Sequence, residues 1–140
     1  MTAEGDGRVL QMRLVVETDD YDRALAFYRD ALGLSEELAI AGEDDARVTI
    51  LAAGRATLEL VNPAQKRFID QVEVGRQVAP RLRVAFEVTD ADAATDALVD
   101  AGAELVAPPT ETPWRSRNAR LDAPAALQIT LFQELDGSGA

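Results

Sequence analysis

The chain states one pattern twice, and that doubling limits its fold more than any single residue does. RLVVE (13–17) and RVAFE (83–87) are short strand-like runs 70 residues apart. Each leads through an acidic helix start, Asp19/Asp20 or Thr89/Asp90, where short polar side chains cap free N–H groups. An amphipathic helix follows. Ala24, Phe27, Tyr28, Ala31 and Leu32 fall at helical spacing in the first, and Ala94, Ala97, Leu98 and Ala101 in the second. Gly33 and Gly102 then stop the helices.

Three strand-like stretches come after each helix: Glu36–Ala41, Arg47–Ala52 and Thr57–Val61, then Glu104–Ala107, Ser116–Leu121 and Ala126–Gln133. Prolines at 108, 109, 113 and 124 divide the second set, and Ala64–Val72 reads as a short helix in the connector. The order is strand-helix-strand-strand-strand, twice. One such unit leaves a sheet face uncovered, and two units cover each other. The expectation is an α+β single domain over 1–140, with module 1 at 10–62, a connector at 63–80 and module 2 at 81–135. The polar, glycine-rich ends MTAEGDG and DGSGA are expected to fray.

Composition narrows the function. With 25 acidic against 14 basic residues the net charge is −11, which repels phosphate backbones and anionic lipid and disfavours nucleic-acid and membrane partners. No apolar run approaches a membrane span and no secretion signal is evident, so a cytoplasmic location is expected. Histidine and cysteine are both absent, which removes the nitrogen and thiolate ligands of Zn, Ni and Fe sites and the usual neutral-pH general base. No phosphate loop or serine-elbow pattern is present.

The doubled architecture, DRALAFYRDALGL (22–34) and the TLELV strand (57–61) together resemble the vicinal oxygen chelate superfamily of glyoxalases, bleomycin resistance proteins and dioxygenases, over about Leu10 to Leu135. The resemblance implies two βαβββ modules pairing into a curled sheet, a cup that holds metal and substrate. Family metalloenzymes place ligands on the first and last strand of each module; here those positions fall on Arg13, Glu59, Arg83 and Thr130. Three of the four are not family ligands, so no metal, no cofactor and no catalytic residue is expected. Strand alternation puts Arg13, Val15 and Glu17 on one face, and Arg83, Ala85 and Glu87 on the corresponding one. These mixed faces are expected to line the cup.

Arg13, Glu59, Arg83, Thr130, Trp114 and Phe132 are therefore the ligand-binding candidates. Arginine keeps its charge and offers a fork of donors to an anionic or oxygen-rich small organic ligand; an Arg–Glu–Arg network that satisfies itself is the competing reading of the same residues. Trp114, the one tryptophan, is braced by proline and suits a flat ligand, a core plug or a dimer contact. Arg115, Arg117 and Arg120 are expected to be solvated or paired with the acidic excess. The resemblance implies a homodimeric, non-catalytic binder that sequesters a drug or metabolite. A metal-independent lyase or isomerase using Glu59 with Arg13 and Arg83, and an interaction module with a vestigial cup, are the other readings.

Overall fold

The computed structural model describes residue 11, residues 13–57, residue 59 and residues 61–135. The chain is α+β. Asp20 caps α1 (Tyr21–Leu25) by accepting from the Arg23 N–H at 3.1 Å, and the helix widens into a π-helical stretch over Ala26–Ala31. Strands β1 (Ser35–Ala41) and β2 (Arg47–Ala52) make an antiparallel hairpin. Asn62 caps α2 (Pro63–Glu73), whose first-turn proline costs no hydrogen bond because that N–H has no helical partner. Then come β3 (Val84–Glu87), α3 (Ala91–Asp100), β4 (Glu104–Glu111), β5 (Ser116–Ala123) and β6 (Leu127–Glu134).

The main sheet runs β3-β6-β5-β4, with β3 parallel to β6 and the other pairs antiparallel. Its strands are two-faced. Ala119, Leu121, Ile129 and Leu131 point to one side and are buried with Phe27 and Leu98, so the core lies between this sheet, α3 and the first-half helix. Val84, Phe86 and Val88 pack against the same cluster. Tyr28 ties the first-half helix to the β5–β6 turn by donating to the Pro124 carbonyl at 2.8 Å. Gly102, at φ +111°, ends α3 and leaves room for Arg23, whose Nη2 would meet an added Cβ at 3.1 Å.

Two expectations need correction. Arg13–Glu17 belongs to no strand, and Thr57, Glu59 and Val61 belong to none either; residues 58 and 60 lie outside the described residues, as do the two tails. Strand-like alternation is a local signal, whereas a strand needs a ladder partner, and these stretches have none among the described residues. Second, Pro108 and Pro109 do not divide the strand after α3. They lie inside β4, which is an edge strand with register shifts around Ala107, the setting that tolerates a missing N–H.

Candidate functional site

The opposite face of β5 and β6 is polar, although much of it is buried. Across the ladder Ser116 faces Glu134, Asn118 faces Phe132, Arg120 faces Thr130 and Asp122 faces Gln128. Ser116, Asn118, Arg120, Gln128 and Thr130 are all buried. Such a face cannot be covered by an apolar helix without stranding hydrogen-bonding groups. α2 covers part of it with charge instead.

Arg120, with no exposed surface, is held from two sides. Its Nη1 donates to Asp70 Oδ1 at 2.8 Å and to Gln128 Oε1 at 2.9 Å, and its Nη2 to Glu73 Oε1 at 2.7 Å. Glu73 Oε2 accepts from Asn118 Nδ2 at 2.7 Å, and Asn118 Oδ1 accepts from Ser116 Oγ at 2.7 Å. Asp70 Oδ2 accepts the N–H groups of Val78 and Ala79, each at 2.8 Å. Burial alone would raise the Asp70 pKa, but the Ala79 N–H, the Arg120 guanidinium and the Val78 N–H together hold it below the ordinary carboxylate value. Asp70 and Glu73 are three apart, so one helix face presents both to the same guanidinium.

Beside this cluster opens a cavity of about 460 Å³, a volume suited to a small organic molecule. Five of the six candidates named from sequence line it: Glu59, Arg83, Thr130, Trp114 and Phe132. Arg83, just ahead of β3, is half-buried and donates from Nη1 to the Thr130 hydroxyl, its only hydrogen bond among the described residues. Burial and then the neighbouring Arg120 cation lower its pKa, while Glu73, Glu59 and Asp70 pull the other way. A guanidinium stays charged through such a shift. Trp114 sits in the β4–β5 turn, closed by the Arg115 N–H on the Thr112 carbonyl at 3.1 Å, and its ring lies 6.2 Å from that of Phe68 on α2.

Arg13 is not part of this group. It is exposed, its Nε donates to the Gln11 side chain at 3.1 Å, and it lines neither cavity described here. Without a ladder partner, nothing carries its strand-like run onto the concave face. Arg120 is paired with acidic residues, one of the two expectations for it, but its burial was missed, since a run of arginines also reads as solvated surface. Arg117 does behave that way, pairing with exposed Asp92 at 3.0 Å. Period-two alternation held the missing signal: Ser116, Asn118 and Arg120 share a face, opposite the apolar Ala119 and Leu121.

A second cavity, about 330 Å³, lies between α1 and the β1–β2 hairpin. Its arginines are already engaged. Arg47 pairs with Asp22 at 3.0 Å and stacks 4.1 Å from the Tyr21 ring centre, while Arg29 pairs with Asp30 and Glu36. No group of three or more His, Cys, Asp or Glu side chains among the described residues is placed to hold a metal ion. No helix among them is long and apolar enough to cross a membrane.

Solved structures share this fold. A glyoxalase/bleomycin resistance protein/dioxygenase superfamily member from Sphaerobacter thermophilus is 23% identical, with 86% of this chain and 92% of that one covered and a TM-score of 0.56. A hypothetical protein from S. aureus is 15% identical, with coverages of 92% and 97% and a TM-score of 0.61. TnmS3, an antibiotic binding protein from Streptomyces sp. CB03234, is 23% identical, with coverages of 85% and 90% and a TM-score of 0.55. At these identities the likeness is one of fold. No curated protein shows significant sequence similarity to the chain. The family model for the Glyoxalase/Bleomycin resistance protein/Dioxygenase superfamily matches residues 11–138, nearly the full length, and the chain belongs to that superfamily.

Proposed function

We propose that this chain is a metal-free, non-catalytic binder of a small organic ligand, sequestering a drug or metabolite in the cavity around Arg83. One observation carries the reading. Arg83 faces the cavity with a single hydrogen bond, and among the described residues no carboxylate lies within ion-pair distance of it. Asp70 and Glu73 are committed to Arg120. A half-buried guanidinium with four unmatched N–H groups needs an acceptor, and an anionic or oxygen-rich ligand supplies one. The donor set does not fit a divalent cation: by the family resemblance two of the ligand positions fall on Arg83 and Thr130, neither a family ligand, and Arg83 already donates to the Thr130 hydroxyl. A fold shared with an antibiotic binding protein adds a precedent.

The active form we propose is a cytoplasmic homodimer. The repeat supports it, since Arg13–Glu17 and Thr57, Glu59 and Val61 are the counterparts of parts of β3 and β6 yet have no ladder partner among the described residues. Leu14, Val15, Leu38, Ile40 and Val48 are exposed, an apolar surface that a second copy would cover.

Calorimetric titration with naphthoate, a flat aromatic acid, tests the binding reading. Saturable binding that Arg83→Met weakens at least about tenfold is expected. Absence of binding, or binding indifferent to Arg83→Met, overturns it. Phenylpyruvate in heavy water tests the non-catalytic part: the protein should not accelerate deuterium uptake next to the carbonyl. Acceleration lost in Glu59→Gln would establish the isomerase reading instead.

A further inference from the structure

We infer that the cavity takes an amphoteric ligand, one whose oxygen acceptor points inward to Arg83 and whose protonated amine points outward between Glu59, Glu134 and Trp114. This rests on the small-molecule-binding reading and adds the charge pattern of the ligand.

The inner half has spent its acceptors and kept its donors. Both Glu73 oxygens are taken, one by Arg120 and one by Asn118. Both Asp70 oxygens are taken, one by Arg120 and one by two backbone N–H groups. Ser116 donates to Asn118, and Thr130 accepts from Arg83. What remains on offer is the Arg83 fork, one Asn118 N–H and the Thr130 O–H. An ammonium group at this end would meet two guanidinium ions with no free carboxylate oxygen.

The outer half has the opposite character. On β6 the cavity-facing residues run outward from buried Thr130 through Phe132 to exposed Glu134. Glu59 is also exposed and lines the cavity. Trp114, 43% exposed, adds an aromatic face, and Phe132 a second. Neither carboxylate has an ion pair or side-chain hydrogen bond among the described residues. Carboxylates beside aromatic faces are the surroundings an organic ammonium binds in. The chain's charge of −11 favours a cation at the mouth and opposes a plain anion crossing it.

Three buried charges and the half-buried Arg83 set the balance between the ends. Arg83 and Arg120 offset Asp70 and Glu73, so the floor is neutral as a group and directs an acceptor through donor geometry rather than surplus charge. A multiply charged anion finds no excess positive charge there. A single acceptor end with a compensating amine fits both halves.

Three probes on one ring system test this by calorimetry: naphthoate, naphthylmethylamine and an aminomethylnaphthoate with its two groups at opposite ends. The amphoteric probe should bind about tenfold more tightly than naphthoate, the sum of one exposed ion pair and a cation–π contact. Glu134→Gln and Glu59→Gln should each erode that advantage, Asp96→Asn on the outer face of α3 should not, and added salt should shrink it. Naphthoate binding as tightly as the amphoteric probe overturns the inference and leaves the binding reading standing. Naphthylmethylamine binding most tightly also overturns it, because the inner acceptor would then be dispensable. If none of the three binds, both readings fall.

Discussion

Removing the Arg120 guanidinium leaves two buried carboxylates, Asp70 and Glu73, without the cation they share. Arg120→Met is therefore expected to cost about 3–5 kcal/mol in urea denaturation, the range for stranding a buried charge. Adding Glu73→Leu should cost less than the two single changes summed, because the second change removes a charge the first had orphaned. Equal and additive costs would show that the groups do not act together. Tyr28 offers a second test at this scale. Burial raises its phenol from the ordinary 10.0 to about 12, and the neutral form donates to Pro124. The sign follows: this stabilisation is complete below pH 10 and is lost as pH rises through about 12. Tyr28→Phe should lower stability by about 0.5–1.5 kcal/mol near neutrality and flatten that alkaline loss.

At the scale of elements, α2 is fastened to the sheet by buried charge. Because the Asp70 pKa is held below its ordinary 3.8, its contribution is fully present above that value and is lost as pH falls through the lower, folded value. Hydrogen exchange in acid should thus rise in α2 (Pro63–Glu73) before it rises in α3, and Asp70→Asn should reproduce the loosening at neutral pH. Simultaneous loss of protection in both helices would contradict an independent fastening. How much of this was legible varies with the kind of signal. The hairpin strands, α3 and the strands after it follow from periodicity and capping, which are local. The ion-pair fastening was hidden because Arg120 and its partners are 50 and 47 residues apart in sequence, with only strand alternation to hint that the arginine faces inward. Of the residues that line the cavity, Arg83, Glu59 and Thr130 were proposed from repeat register, Phe132 from strand alternation and Trp114 from its proline-braced setting. Arg13 was assigned by the same register, but a repeat in sequence does not supply the ladder partner a strand needs.

For the whole molecule, the unfinished first half sets the assembly prediction. Val15 is 89% exposed, so in an isolated chain Val15→Glu should hardly alter folding. If a second copy covers that segment, sedimentation should give twice the 15.1 kDa chain mass for the natural protein and the single mass for Val15→Glu. A natural protein that stays monomeric at micromolar concentration would rule the dimer out. The two-faced β5–β6 ladder has a longer-term consequence. Leu121, Ile129 and Leu131 hold the molecule together from one side, while Asn118, Thr130 and Phe132 meet the cavity from the other. On the proposed binding role, mutations that retune recognition fall on alternate residues from those that set the core, so new ligand preferences can accumulate on these strands while the packing beneath them stays as it was.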